Sequence, residues 1–123
     1  SYGHLAGDAV LEAFGTILRQ QARHGDVIAR FGGEEFVAFL PGAGLEEAAR
    51  FAERIREAVQ LRHIPVDDTL AIAVTVSAGV SAIPDCAENL EEAVRLADER
   101  LYEAKRGGRN RVVADSCQQR NAA

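Results

Sequence analysis

Val10, Leu11, Phe14, Ile17 and Leu18 recur at three- and four-residue steps, so they share one face of a predicted helix running from Asp8 to about residue 22. Gly3 and Gly7 punctuate the chain ahead of it, and Gly25 is placed to close it as a left-handed cap. Two apolar runs follow, joined by a Gly-Gly step, and predict a β-hairpin with strands near 27–31 and 35–40. The second of these is apolar on both faces, which suits a strand covered on both sides or nearly so. Pro41-Gly42-Ala43-Gly44 breaks it. A second helix is expected over 45–61, with Ala48, Ala52, Ile55 and Val59 inward and Glu46 and Glu47 in its first turn, where they suit the dipole. Ile64-Pro65-Val66 is too short a run to assign. A Val-, Ile- and Thr-rich strand is expected over 70–77, with Val80-Ser81-Ala82 as its extension. Gly79 marks a bulge or a close approach there. The last helix is expected over 90–106, with Ala93, Leu96, Ala97, Leu101 and Ala104 as its buried stripe, and 111–113 as a final edge strand.

The order helix, strand, strand, helix, strand, helix, strand describes an α/β (α+β) sandwich, with helices packed on a mostly antiparallel sheet. A βαββαβ ferredoxin-like plan fits if one strand is supplied ahead of Ser1. The chain has 123 residues, the size of one domain, expected over 1–115 with a disordered polar tail at 116–123. With 47% hydrophobic residues a packed core is within reach. The net charge of −5 argues against a general nucleic-acid grip, which needs a basic face. No apolar run is long enough to cross a bilayer and no signal segment opens the chain. Cys86 and Cys117 are too few and too scattered for a disulfide framework or a zinc site, and are expected to be free thiols in a reducing cytoplasm.

The candidate chemistry lies at the hairpin, in Arg30-Phe31-Gly32-Gly33-Glu34-Glu35-Phe36. Gly-Gly accepts the positive φ of a tight turn. Adjacent carboxylates repel, so a fold gains nothing from placing both at one tip. They make sense where a cation such as Mg²⁺ joins them, since it prefers hard oxygen ligands and brings phosphates with it. The alternative is a solvated turn whose acids serve solubility.

This stretch resembles the GGEEF form of the motif that names the GGDEF-domain diguanylate cyclases. Four further segments are similar to that family in the same order: Tyr2-Gly3-His4-Leu5-Ala6-Gly7-Asp8, Arg23-His24-Gly25-Asp26, Thr75-Val76-Ser77-Ala78-Gly79-Val80, and Ala97-Asp98 through Lys105 with Gly108-Arg109-Asn110-Arg111-Val112. The resemblance implies a nucleotidyl-cyclase-like fold. It implies condensation of two GTP into cyclic di-GMP with release of two pyrophosphates, in a homodimer whose domains face each other, with Mg²⁺ or Mn²⁺.

By the same resemblance, Glu34 ligates metal and takes part in deprotonating the 3′-hydroxyl, and Glu35 assists at the metals. Gly32 and Gly33 let the nucleotide approach the backbone. Asp8 accepts from the guanine edge, which selects guanine over adenine. His4 touches the substrate. Lys105, the only lysine, and Arg109 meet the β- and γ-phosphates; four residues apart at a helix end, they can point one way. Arg23 and Asp26, with Arg54 on the next helix, form a site at which product inhibits the enzyme, arginine being suited to stacking on guanine and donating to its edge. Each assignment has a plain alternative: a helix cap at Asp8, a surface histidine at His4, cations favouring a helix dipole at Lys105 and Arg109, and a helix-end salt bridge at Arg23.

The family pattern begins with a strand and an Asp-rich segment ending in Asn-Asp, whereas this chain starts at Ser1-Tyr2. The first strand is therefore expected to be missing, with a metal-binding Asp, a guanine-contacting Asn and a phosphate-side Lys. The 123 residues alone are expected not to turn over GTP unless another chain fills the gap. A cytoplasmic location, a sensor domain ahead of this one and a parent that can be membrane-tethered complete the expectation. A non-catalytic receptor for GTP or cyclic di-GMP is the rival reading, and an α/β interaction module with accidental motifs the remote one.

Overall fold

In the computed structural model, which describes residues 2–32 and 35–115, the opening helix α1 runs over Tyr2–Gln21. It starts six residues before the expected position, so Gly3 and Gly7 lie inside it. A glycine weakens a helix interior by about 1 kcal/mol relative to alanine without forbidding it. Asp8 therefore stands in the second turn, where backbone amides already have partners within the helix, and the capping alternative falls away. At the far end Gly25 takes φ 96°, the left-handed conformation expected of it.

The hairpin follows as β1 (Val27–Gly32) and β2 (Glu35–Phe39), paired antiparallel with Arg30 opposite Phe36 and Gly32 opposite Glu35. A register shift between Arg30 and Gly32 marks an irregularity just before the tip. Among the described residues β2 pairs with β1 alone, and Glu35 and Ala38 are exposed. It is not the doubly covered strand its composition suggested: Glu35 and Ala38, three residues apart, lie on opposite faces, so neither face is fully covered.

The helix α2 spans Leu45–Leu61 as expected and buries Phe51, Ile55 and Val59. These meet Ile17 and Leu18 of α1 in the main core, with Phe14, Ile28, Phe36, Leu40, Val74 and Val76 packed around them. Each such side chain stabilises the fold by about 1.5–3 kcal/mol when fully withdrawn from water.

The unassigned segment near Ile64 is a strand, β3 (His63–Pro65), antiparallel to β4 (Ala71–Ala73). The continuous strand expected over 70–77 is thus divided. Only its start pairs with β3, while β5 (Ala78–Gly79) pairs in parallel with β6 (Val112–Val113) at the end of the chain. Strand propensity marks extended backbone but does not say which partner each residue finds.

The helix α3 (Leu90–Arg106) begins where the Asn89 side chain accepts from the Glu92 amide at 2.9 Å. Its own Ala93 and Ala104 are buried, as are Val80, Ala82, Cys86 and Ala87 in the segment before it. Arg100 is buried as well and donates to the Val80 carbonyl at 2.6 Å. Cys86 is disulfide-bonded, which corrects the expectation of a free thiol there. Spacing along a chain does not report how closely two cysteines approach in space. Among the described residues no helix is long and apolar enough to cross a membrane.

Candidate active site

The hairpin tip and the end of α3, seventy residues apart in the chain, meet through one ion pair: Lys105 Nζ lies 3.7 Å from Glu35 Oε2. The side chains are 39% and 45% exposed, so the pair is worth about 0–1 kcal/mol and leaves the ammonium available to a stronger anion. Glu34 and Gly33, the other tip residues singled out from the sequence, lie outside the described residues. Gly32 ends β1 directly opposite Glu35.

Behind the tip, the Phe14 ring on α1 meets the Phe36 ring edge-on, with centroids 4.9 Å apart at 72°. Such a contact fixes the hairpin against the helix. Beside it opens a cleft of ≈ 390 Å³ lined by Asp8, Leu11, Glu12, Gly15, Arg19, Arg30 and Phe36. Asp8 therefore faces a space bounded by the residue next to Glu35. His4 falls on the same helix, one turn before Asp8.

Arg19 and Arg30 were not among the expected site residues. Arg19 stands eleven residues after Asp8, three helical turns on, a spacing that puts both on one face. Its guanidinium folds back over Gly15, where an added Cβ would lie 3.3 Å from it. Arg30 opens the hairpin stretch singled out from the sequence but was given no role of its own there.

Arg109 is placed differently from the expectation. The helix α3 stops at Arg106, and Gly107, Gly108 and Arg109 form a turn, with Gly108 at φ 121° and Arg109 at φ 62°. Lys105 and Arg109 are therefore not successive turns of one helix. Two glycines after Arg106 end the regular hydrogen bonding before Arg109 is reached.

The Arg23 and Asp26 element lies at the opposite end of α1. The Arg23 amide donates to Asp26 Oδ2 at 2.8 Å, which closes the turn ahead of β1. The Arg23 guanidinium lies 3.7 Å from Glu47 on α2, while Arg54 on α2 donates to Gln21 Oε1 on α1 at 3.3 Å and sits over the Phe51 ring. Both arginines thus gather at the junction of α1 and α2. The Arg23 ion pair is the helix-end salt bridge foreseen as an alternative. With side chains 66% and 50% exposed it is weak and does not commit Arg23 to that partner.

Among the described residues no group of three or more acidic, histidine or cysteine side chains is placed to hold a metal unaided. What is present, an exposed tip carboxylate beside a lysine, fits a cation that arrives with phosphates and keeps most of its ligands from them and from water.

One α/β domain thus carries a tip acid beside a lysine and, next to them, a cleft lined by two acids and two arginines. Residues 1–111 match the family model described as diguanylate cyclase, GGDEF domain, and the chain belongs to that family. It is 44% identical over 113 residues to diguanylate cyclase A of Treponema denticola, which covers 92% of this chain and 30% of that protein. It is 41% identical over 114 residues to the response regulator PleD of Caulobacter vibrioides, covering 92% of this chain and 25% of that one. The GGDEF domain of DgcB from Caulobacter crescentus, solved in complex with c-di-GMP, superposes with a TM-score of 0.81 at 35% identity, over 90% of this chain and 66% of that structure. The expected α/β fold of the family is borne out by this likeness. The chain spans less than a third of the length of either curated relative.

Proposed function

We propose that this chain is the catalytic domain of a diguanylate cyclase, joining two GTP molecules into cyclic di-GMP. The observation that carries the reading is the meeting of Glu35 with Lys105 beside the Asp8 cleft. It groups an acid for metal, a cation for phosphate and an acceptor for the base.

Asp8 accepts from guanine N1–H and the 2-amino group, a donor pair adenine lacks. Lys105 and Arg109 bind the β- and γ-phosphates and stabilise the charge that grows on the departing pyrophosphate. Glu34 and Glu35 would hold a divalent cation, Mg²⁺ or Mn²⁺, which when bound neutralises phosphate charge. Glu34 also takes the proton from the 3′-hydroxyl. Each 3′-oxygen forms a bond to the α-phosphorus of the other GTP as the bond to pyrophosphate breaks, so two domains must face each other. Arg23, Asp26 and Arg54 bind the product and lower the rate. A sensor domain joined to this one would set that rate, with the domain itself in the cytoplasm.

Incubating the full-length protein with GTP and MgCl₂ should yield cyclic di-GMP and pyrophosphate, read by chromatography and mass spectrometry. Binding without product would favour the receptor reading, and neither would overturn both. For the inhibitory site, Arg23→Ala should weaken cyclic di-GMP binding by about tenfold or more in a titration, the value of one charge-assisted recognition contact. Equal affinity in the two proteins would remove that site.

A further inference from the structure

Gly108, Arg109 and Asn110, in the turn between α3 and β6, all have positive φ, at 121°, 62° and 47°. Glycine adopts this conformation freely and asparagine tolerates it, but for an arginine it is strained. Strain of this kind persists only where the surroundings hold it. Within the turn, the Arg109 amide donates to the Ala104 carbonyl at 2.9 Å, and the Arg109 carbonyl accepts from Arg111 Nε at 3.1 Å. From outside the turn comes α2, whose Arg56 Nη1 donates to Asn110 Oδ1 at 2.9 Å across fifty-four residues of sequence.

Arg56 is itself held on every side. Its Nε donates to Glu53 Oε1 at 2.8 Å, its Nη2 donates to the same oxygen, and its Nη1 donates also to Gln60 Oε1 at 2.9 Å. Its side chain is only 16% exposed. The hydrogen bond between them draws the Glu53 carboxyl below its ordinary range and lifts the Arg56 guanidinium above its own, so both stay charged. Arg109 is the reverse case: it is exposed, and its guanidinium bonds to none of the described residues. A fixed guanidinium thus grips the residue next to an uncommitted one.

We infer that Arg56 is a positioning residue for Arg109: by pinning the Asn110 side chain to α2 it holds the left-handed turn that presents the Arg109 guanidinium to a nucleotide's phosphates. The inference rests on the reading of Arg109 as a phosphate ligand. A planar guanidinium with bonds at Nε, Nη1 and Nη2 is suited to such a clamp, since it fixes direction as well as distance. The catalytic chemistry stays with the groups named above, and Arg56 acts through Arg109.

The test compares binding of an α,β-methylene GTP analogue and of GMP to the full-length protein, by calorimetry with Mg²⁺ present. Arg56→Ala should weaken the triphosphate analogue about 5- to 20-fold, the scale of a displaced binding group, and leave GMP within about 2-fold. Arg109→Ala should weaken the analogue as well, and Arg56→Ala added to it should have no further effect. Asn110→Gly, which removes the same bond and still accepts the positive φ of the turn, should reproduce Arg56→Ala, and it decides the matter if Arg56→Ala does not fold. If Arg109→Ala weakens the analogue and neither clamp variant does, the inference fails alone. Equal losses for GMP and the analogue, or a further loss in the Arg109→Ala background, would mark a merely structural role and also overturn it. An unchanged affinity in Arg109→Ala would refute the phosphate reading itself.

Discussion

Gly79→Ala is expected to destabilise the domain by about 3 kcal/mol or more, lowering its thermal midpoint by roughly 10 °C or more. The helix α3 lies directly on the backbone of β5 at this residue. A Cβ built on Gly79 would overlap the Ala97 carbonyl oxygen and the Leu101 amide nitrogen, and would come within 2.8 Å of the Arg100 carbonyl carbon. All three are main-chain atoms of a helix, so no side chain can swing aside to make room. Relief requires α3 to move off β5, and that exposes the buried Ala93 and Ala104 and strains the Arg100 bond to the Val80 carbonyl. Lys105 is carried on the same helix, so the ion pair to Glu35 would be lost with it. Since domains of this size are stable by only about 5–15 kcal/mol, such a loss takes a large part of the total. Thermal and urea denaturation of the two proteins would measure it, and a midpoint within a few degrees of the parent would contradict the packing described.

In the full-length protein, Glu34→Gln should lower cyclic di-GMP synthesis by about 100-fold or more while leaving the fold intact. Glutamine keeps the shape of glutamate and removes its charge. On the proposed mechanism the variant would lose an anionic ligand for the cation and the group that receives the 3′-hydroxyl proton, and it keeps the volume. Glu35 remains beside Lys105 in the variant, so nucleotide binding should fall much less than turnover. The measurement is initial rate against GTP concentration, with circular dichroism to confirm folding. Turnover at the parent rate would withdraw the role given to Glu34, whatever the family likeness.

The two helices with regular apolar stripes, α2 and α3, could be placed from their residues, because a stripe at helical spacing has no other stable use. The start of α1 could not. Gly3 and Gly7 read as breaks by local preference, yet they are helical, and that sets aside the cap given as the alternative for Asp8 and leaves it facing a cleft. The segment 70–77 read as one strand, and it supplies one short strand to a β3 partner ahead of another that pairs with the end of the chain. Arg100 sits on the buried side of α3, where a charged residue was not expected, because a carbonyl of β5's neighbour Val80 is there to receive it.

The motifs of the family, with the acids and glycines of the hairpin and the lone lysine among them, stand in the sequence by themselves, because a motif depends on residue type and local spacing. So does the membership they point to. Tertiary structure alone decided that Lys105 stands at Glu35, that Arg19 and Arg30 share the Asp8 cleft, and that Arg56 reaches Asn110. These are meetings between elements distant in the chain. No periodicity records them, since a pattern along one element reports which face turns inward but not what that face will find.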